Sequence, residues 1–401
     1  MKVMNGARDM DNHTYNSASR RRFMEKAALT SVAWVPFFQA QRSLGNVGSR
    51  TPGSSPLRDR KDEIRIGLIG LTGRPGIVLN AIPNIRGARL VAFARTHGDS
   101  LAKTWSRNDE QVLRESGHLP LFHSDTSVYE TYQEMFAHED LDIVACCLPN
   151  GLNVYASIAA ARKGCHVISE QPLALGSKSL AALESVVDEA KVHISAICEM
   201  RAHSGIAAMR EAIAGGLVGE PILAFAQKCC RPKEEESLFQ EQAKPLVGST
   251  PWMGLDLLDC ISYTTGLEIT QASALQRNKD HAVSRFHQNP GLLLKLLNGA
   301  TGIVSVHSLV SKESLEEGAT RLRVTGTKAV IEMIGRQVEL FTPNHAPKEM
   351  PLLPRRSSFE SFATFLRGEG SHLMKTDETF RVARAALMAD RAVKEGRLIR
   401  A

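Results

Sequence analysis

Residues 64–76, IRIGLIGLTGRPG, decide how the rest of the chain is read. The run IRIGLI alternates poorly between polar and apolar, as a strand buried on both faces does, and it ends in glycines that turn the chain sharply. A helix is expected over 77–85. Strand, glycine turn and helix in that order open a dinucleotide-binding sheet, where glycines let the backbone approach a pyrophosphate at a helix N-terminus. The spacing G-x-G-x-x-G would put glycine at 70, 72 and 75; the chain has Gly70, Thr72 and Pro75, with Gly73 and Gly76 beside them. Alone, the stretch fits either a dinucleotide turn or a buried strand with a glycine-rich turn, so its context has to choose.

Downstream, strands and helices alternate. Strands are expected at 88–94 (ARLVAFA), 119–123, 141–148 (LDIVACCL), 165–169 and 192–198, with helices at 100–114, 128–138, 153–163 and 177–190. That order predicts an α/β doubly wound parallel sheet, a Rossmann arrangement. At the end of the second strand, where an acid often bonds the adenine ribose, stand Arg95 and Thr96. Arg95 suits a 2′-phosphate, which favours NADP over NAD, or it is a plain surface arginine. Beyond Met200 the pattern changes to a helix at 206–214, strand-like runs between 222 and 341 joined by short turns, and two closing helices at 359–367 and 377–394. A C-terminal α+β domain with a mostly antiparallel open sheet is expected.

Composition agrees with two cores. The 401 residues exceed one ordinary domain of about 100–200. A hydrophobic share of 43% and a charged share of 23% leave ample apolar material. The net charge of +6 is concentrated at the start, where residues 1–45 carry seven Lys/Arg against three acids. Nucleic acid is therefore not an expected partner. Seven cysteines show neither disulfide-framework nor zinc spacing; Cys146 and Cys147 read as core, and no metal is expected. Ser19-Arg20-Arg21-Arg22-Phe23-Met24-Glu25-Lys26, followed by an apolar run over 27–38, resembles the twin-arginine export signal S-R-R-x-F-L-x-K. Twelve residues fall short of the roughly 18 needed to cross a bilayer, so no stable membrane span is expected. The expected organisation is a signal segment over 1–40, a flexible Gly/Ser/Pro/Arg linker over 41–61, an NAD(P)-binding domain over 62–199 and a C-terminal domain over 200–401. The twin-arginine machinery is the implied partner, and the periplasm or exterior the implied location.

Between 140 and 175 the chain reads DLDIVACCLPN, a helix, then KGCHVISEQPLAL, and later come Arg201, GGLVGEP over 215–221, NGA over 298–300 and GT over 326–327. This series resembles the Gfo/Idh/MocA family, named for glucose-fructose oxidoreductase, inositol dehydrogenase and a rhizopine-catabolism protein. The resemblance runs from about residue 64 to the end. It implies a Rossmann domain followed by an α+β domain that carries the substrate and often an oligomer interface, here a possible homo-oligomer. It implies NAD or NADP contacts at Gly70, Thr72, Gly73, Arg74, Pro75, Arg95, Thr96, Leu148, Pro149, Asn150 and Glu170.

The departures fall on the chemistry. The family's E-K-P is Glu170-Gln171-Pro172, and a glutamine hydrogen-bonds at both ends of its amide but carries no proton near neutral pH. The family's D-x-G-x-H-x-x-D aligns with residues 252–259, so Trp252 replaces the first aspartate, Asp256 the histidine, and Asp259 stays. Asn153 stands where a histidine is usual. In one reading Asp256 is a general base, Gln171 and Arg201 hold substrate oxygens, and Trp252 stacks on a sugar ring. Asp256 and Asp259, three apart on a helix, would then share a face, and their mutual repulsion would raise one of the two pKa values. In the other, Arg201 is half of a structural ion pair and the acids merely suit a helix N-terminus. The implied function is an exported oxidoreductase acting on a sugar, polyol or related small hydroxyl compound, with cofactor loaded before export and recycled in place. The alternatives are a redox-neutral glycoside-cleaving enzyme and a non-catalytic carbohydrate-binding or scaffold protein.

Overall fold

The computed structural model describes residues 63–95, 125–148, 151–229, 254–275, 291–307 and 320–401. The leader, the strand expected at 119–123 and the site candidates Thr96, Pro149, Asn150 and Trp252 lie outside them. All described residues belong to one unit, 55–401.

The first half is a six-stranded sheet of order β3-β2-β1-β4-β5-β6. Its strands are β1 (Ile64–Ile69), β2 (Ala88–Ala94), β3 (Ser127–Tyr129), β4 (Ile143–Cys146), β5 (His166–Ser169) and β6 (Ile194–Ala196). Every pairing is parallel, and β4 and β5 are buried at all four positions, which is why their sequences run apolar without alternation. Order reverses between β1 and β4. In doubly wound sheets ligands bind outside the carboxyl ends of the strands at such a reversal.

Helices α1 (Pro75–Leu79), α2 (Tyr132–His138), α3 (Asn153–Arg162) and α4 (Ser177–Ala190) connect these strands. The helix expected over 77–85 ends early: Pro83, with no N–H, breaks it, leaving α1 and a separate 3-10 turn, Ile82–Asn84. The helix expected from Val128 begins instead at Tyr132, because the Thr131 side chain caps it by accepting from the Glu134 N–H at 3.0 Å. Ser127–Tyr129 is thereby released to pair with β2.

Two short helices, α5 (Glu199–Ala202) and α6 (Ser204–Ala214), lead to a nine-stranded sheet of order β14-β13-β12-β11-β7-β10-β9-β8-β15. Its strands are β7 (Pro221–Cys229), β8 (Ile269–Leu275), β9 (Gly291–Leu296), β10 (Thr301–His307), β11 (Thr320–Gly326), β12 (Val330–Ile334), β13 (Gln337–Phe341), β14 (Lys348–Glu349) and β15 (Ile399–Arg400). Pairing is antiparallel except between β7 and β10. The strands alternate: Leu292, Leu294 and Leu296 are buried, whereas Leu293 and Lys295 are exposed. The inner face packs against α6, α7 (Leu255–Thr265) and α9 (Thr376–Glu395); α8 (Ser358–Leu366) packs on α1. The other face is open.

Candidate active site

The turn after β1 takes its shape from two glycines. Gly70 and Gly73 have φ of 73° and 82°, and a Cβ would lie 2.5 Å from the Cys147 carbonyl oxygen at one and 2.7 Å from Glu170 Oε1 at the other. Only glycine meets both conditions without strain. Thr72 has no such requirement; its N–H donates to the Cys147 carbonyl at 2.8 Å. Pro75 opens α1, where a missing N–H costs nothing. Thr72 and Pro75 are thus no defects. The turn is spaced G-x-x-G, one residue longer than the fingerprint.

From this turn Arg74 reaches across the sheet. Its backbone N–H donates to Glu170 Oε1 at 2.5 Å, Nε donates to the same oxygen at 3.1 Å, and Nη2 donates to Glu170 Oε2 at 3.0 Å and to the Ile197 carbonyl at 3.3 Å. Glu170 follows β5 and Ile197 follows β6, so the link starts at β1 and passes the end of β4. Burial opposes the Arg74 charge, but the Glu170, Asp256 and Glu199 carboxylates more than offset it and hold the guanidinium protonated.

Gln171, joined to Pro172 by a cis peptide bond, donates from Nε2 to the Ile197 carbonyl at 3.0 Å. Its Oε1 and the Thr72 Oγ1 are buried without a hydrogen-bond partner among the described residues. A buried oxygen left unpaired costs about 1–3 kcal/mol. A ligand carrying hydroxyl or amide donors supplies what these atoms lack, so the crevice fits a dinucleotide in chemical kind. Asn153 serves the backbone instead. Its Oδ1 accepts from the Leu148 N–H at 2.9 Å and its Nδ2 donates to the Leu148 carbonyl at 3.2 Å. It is fully buried and anchors the chain leaving β4, a role that an amide's donor and acceptor fill together.

The acidic pair on α7 divides. Asp256 accepts from Lys228 Nζ at 2.8 Å. Burial pushes its carboxyl up, but the Lys228 ammonium and Arg74 guanidinium more than reverse this and leave it below the ordinary aspartate range. The expected upward shift falls on Asp259, through burial first with Asp256 adding to it, and not on Asp256, where the two cations outweigh burial. Asp259 is 2% exposed and bound by Arg201, also 2% exposed, whose Nη2 and Nε donate at 2.7 and 3.0 Å. Burial pushes the Asp259 carboxyl up and Arg201 pulls it back. The remaining nitrogen, Nη1, donates to the Leu373 carbonyl at 2.8 Å and to Glu378 Oε2 at 3.1 Å, and the guanidinium lies 4.7 Å from the Tyr263 ring centre. Of the two readings of Arg201, the ion pair is the one present, with four of its five N–H groups bonded to Asp259, Leu373 and Glu378. Arg95, at the end of β2, is half-exposed and 3.4 Å from Glu130. Among the described residues no group of three His, Cys, Asp or Glu side chains is placed to hold a metal.

Residues 64–197 match the oxidoreductase family of NAD-binding Rossmann fold, GFO_IDH_MocA. Over that segment the chain resembles the Gfo/Idh/MocA family. A 1,5-anhydro-D-fructose reductase from Ensifer adhaerens is 34% identical over 135 residues, 34% of this chain and 39% of that protein. A glycosyl hydrolase family 109 protein from Solibacter usitatus is 27% identical over 161 residues, 40% of this chain and 34% of that protein. The chain thus spans well under half of either curated relative. Among solved structures, the aldose-aldose oxidoreductase from Caulobacter crescentus, complexed with glycerol, superposes with a TM-score of 0.68 at 18% identity, covering 84% of this chain and 100% of that one. At that identity the likeness shows a shared fold in both halves and no more.

Two elements of the site escaped sequence reasoning. Lys228 sits on β7 in phase with buried Ala224 and Ala226, and a lysine at that parity was the available signal that a buried acid awaited it. Glu378, in the first turn of α9, completes the Arg201 cluster and had no local signature.

Proposed function

We propose that the chain is an exported NAD(P)-binding oxidoreductase of Gfo/Idh/MocA type that acts on a sugar or an anhydro-sugar. The observation that carries this reading is the crevice between β1 and β4, within the matched Rossmann segment, where Thr72 Oγ1 and Gln171 Oε1 are left without partners. Gly70, Gly73, Arg74 and the chain after Leu148 would hold the cofactor, which supplies hydride acceptance or donation when bound. Arg95, half-exposed at the end of β2, favours NADP. Gln171 orients a substrate oxygen through its amide. Asp256, anionic beside the Lys228 ammonium, is the proton-handling candidate, and Trp252 is the sugar-stacking candidate. Arg201 and Asp259 position α7 and touch no substrate.

The leader's resemblance to a twin-arginine signal supports export of the folded, cofactor-loaded protein. Cofactor retained outside the cytoplasm has to be regenerated in each cycle. The named activity of the glycosyl hydrolase relative is redox-neutral overall, and it favours the second reading, in which hydride returns to the same substrate. On the open face of the nine-stranded sheet, Ile303 stands between Leu293 and Phe225 in register, an apolar row that suits a second copy of the chain.

Native purification followed by acid release and chromatography tests the reading. Released NAD or NADP near one per chain is the expected result. Protein that carries no nicotinamide and shows no thermal shift on adding NAD, NADP or their reduced forms contradicts both enzymatic versions and leaves the scaffold reading.

A further inference from the structure

We infer that Glu170 is an internal competitor for the phosphate end of the cofactor: its carboxylate fills the anion seat formed by the backbone N–H and guanidinium of Arg74. The inference rests on the reading of the crevice as a dinucleotide site. The carboxylate accepts one bond from a backbone N–H and two from a guanidinium, all from Arg74, at 2.5, 3.1 and 3.0 Å. A main-chain donor beside a guanidinium fork is the combination that recognises a phosphate oxyanion, and here a residue of the same chain takes it.

Three further observations bear on the competition. Glu170 is 3% exposed, and its Oε2 accepts a further bond from the Gln171 N–H at 3.0 Å, so its hydrogen bonding is complete without ligand. Arg74 is 35% exposed, which leaves its guanidinium room to turn outward. The link runs from the β1 turn past the end of β4 to the ends of β5 and β6, across the strand-order reversal where a dinucleotide lies. A pyrophosphate and the Glu170 carboxylate are both anions, and the low-dielectric site makes their repulsion costly. They exclude one another from the Arg74 donors. Gln171 Oε1, 8% exposed and unpartnered, stands next to the pair and offers an acceptor to the incoming ligand.

Calorimetric titration of NADH into the full chain, cleared of any retained nucleotide, tests this with wild type, Glu170→Gln and Arg74→Met. Glu170→Gln should bind NADH roughly tenfold more tightly, because the neutral amide yields the seat without charge repulsion. Arg74→Met should bind roughly tenfold more weakly, because the seat itself is gone. Binding by wild type with no gain in Glu170→Gln, or a gain in Arg74→Met, overturns the inference while the dinucleotide reading stands. Absence of binding by wild type and Glu170→Gln at about 1 mM NADH and NADPH overturns both. Should Glu170→Gln lose its cooperative thermal transition, Glu170→Asp takes its place: the shorter side chain cannot span to Arg74, and several-fold tighter binding supports the inference whereas unchanged binding refutes it.

Discussion

At the carboxyl ends of β1 and β5, Arg74, 35% exposed, and Glu170 pair beside two buried oxygens that lack partners; at α7, Arg201 and Asp259 pair with each other at 2% exposure. Both are charged clusters in the interior, made of the same residue types. They differ in what remains unsatisfied. Arg74 is partly exposed and can move, and Thr72 Oγ1 and Gln171 Oε1 wait for donors. Arg201 spends its nitrogens on Asp259, Glu378 and the Leu373 carbonyl, under an aromatic ring. Unpaired oxygens beside a partly exposed arginine at the strand-order reversal fit a ligand's place, whereas an ion pair buried on both sides fits architecture. The family's second aspartate, which invites a catalytic role from its place in the sequence, falls on the architectural side.

The largest effect should come from breaking the satisfied pair. Arg201→Met or Asp259→Asn leaves a buried charged or polar partner behind, and chemical denaturation should show a loss of about 3–5 kcal/mol. A loss below about 1 kcal/mol would mean that the pair is not architectural. Gly70→Ala forces a Cβ to 2.5 Å from a carbonyl at φ 73°, and about 1–3 kcal/mol should be lost by the same measurement. Thr72→Ala should cost nothing in stability, because the Oγ1 bonds to no described residue. That contrast reads out which positions of the turn are structural.

A third prediction concerns His372, whose ring stacks on Phe365 with centroids 5.0 Å apart and whose Nε2 has no partner among the described residues. Burial, helped by His193, Arg201, Arg356 and Lys375, pushes its pKa down to about 3. The unfolded chain therefore takes up this proton near pH 6.5 and the folded chain only near 3, so stability falls as pH drops through that window. Between about pH 6.5 and 5 the loss should be about 1–2 kcal/mol, and His372→Leu should flatten that part of the stability profile. The smallest effect is at Lys228. In Lys228→Met the burial of Asp256 is no longer offset by the ammonium, and the carboxyl should titrate higher by NMR. Asp256 is depressed in the folded wild type, so its contribution is present above the ordinary aspartate pKa and lost only as pH falls through the folded value. An unshifted Asp256 in that variant would show that Arg74, not Lys228, sets its charge.

The first sheet was legible because burial on both faces leaves unbroken apolar runs such as 141–148, and the antiparallel sheet because its strands alternate, as 292–296 does. Boundaries were less so. Pro83 cut the first helix, and the Thr131 cap moved the start of α2, each through a single side chain that periodicity weighs like any other. The site was half legible. Gln171 and Asp256 stood out as departures from a motif, but motif spacing left the β1 turn ambiguous, since it counts glycines without knowing which φ the turn needs. It also could not show that Arg201 chooses Asp259, 58 residues away, because such pairing depends on tertiary contact alone.

Hydrogen exchange on the full chain, with and without NADH, tests the contrast between the two clusters most directly. The account predicts added protection over 70–78 and 168–173 and no change over 255–260. Protection confined to the α7 segment, or none at the β1 turn in protein shown to bind NADH, would contradict it.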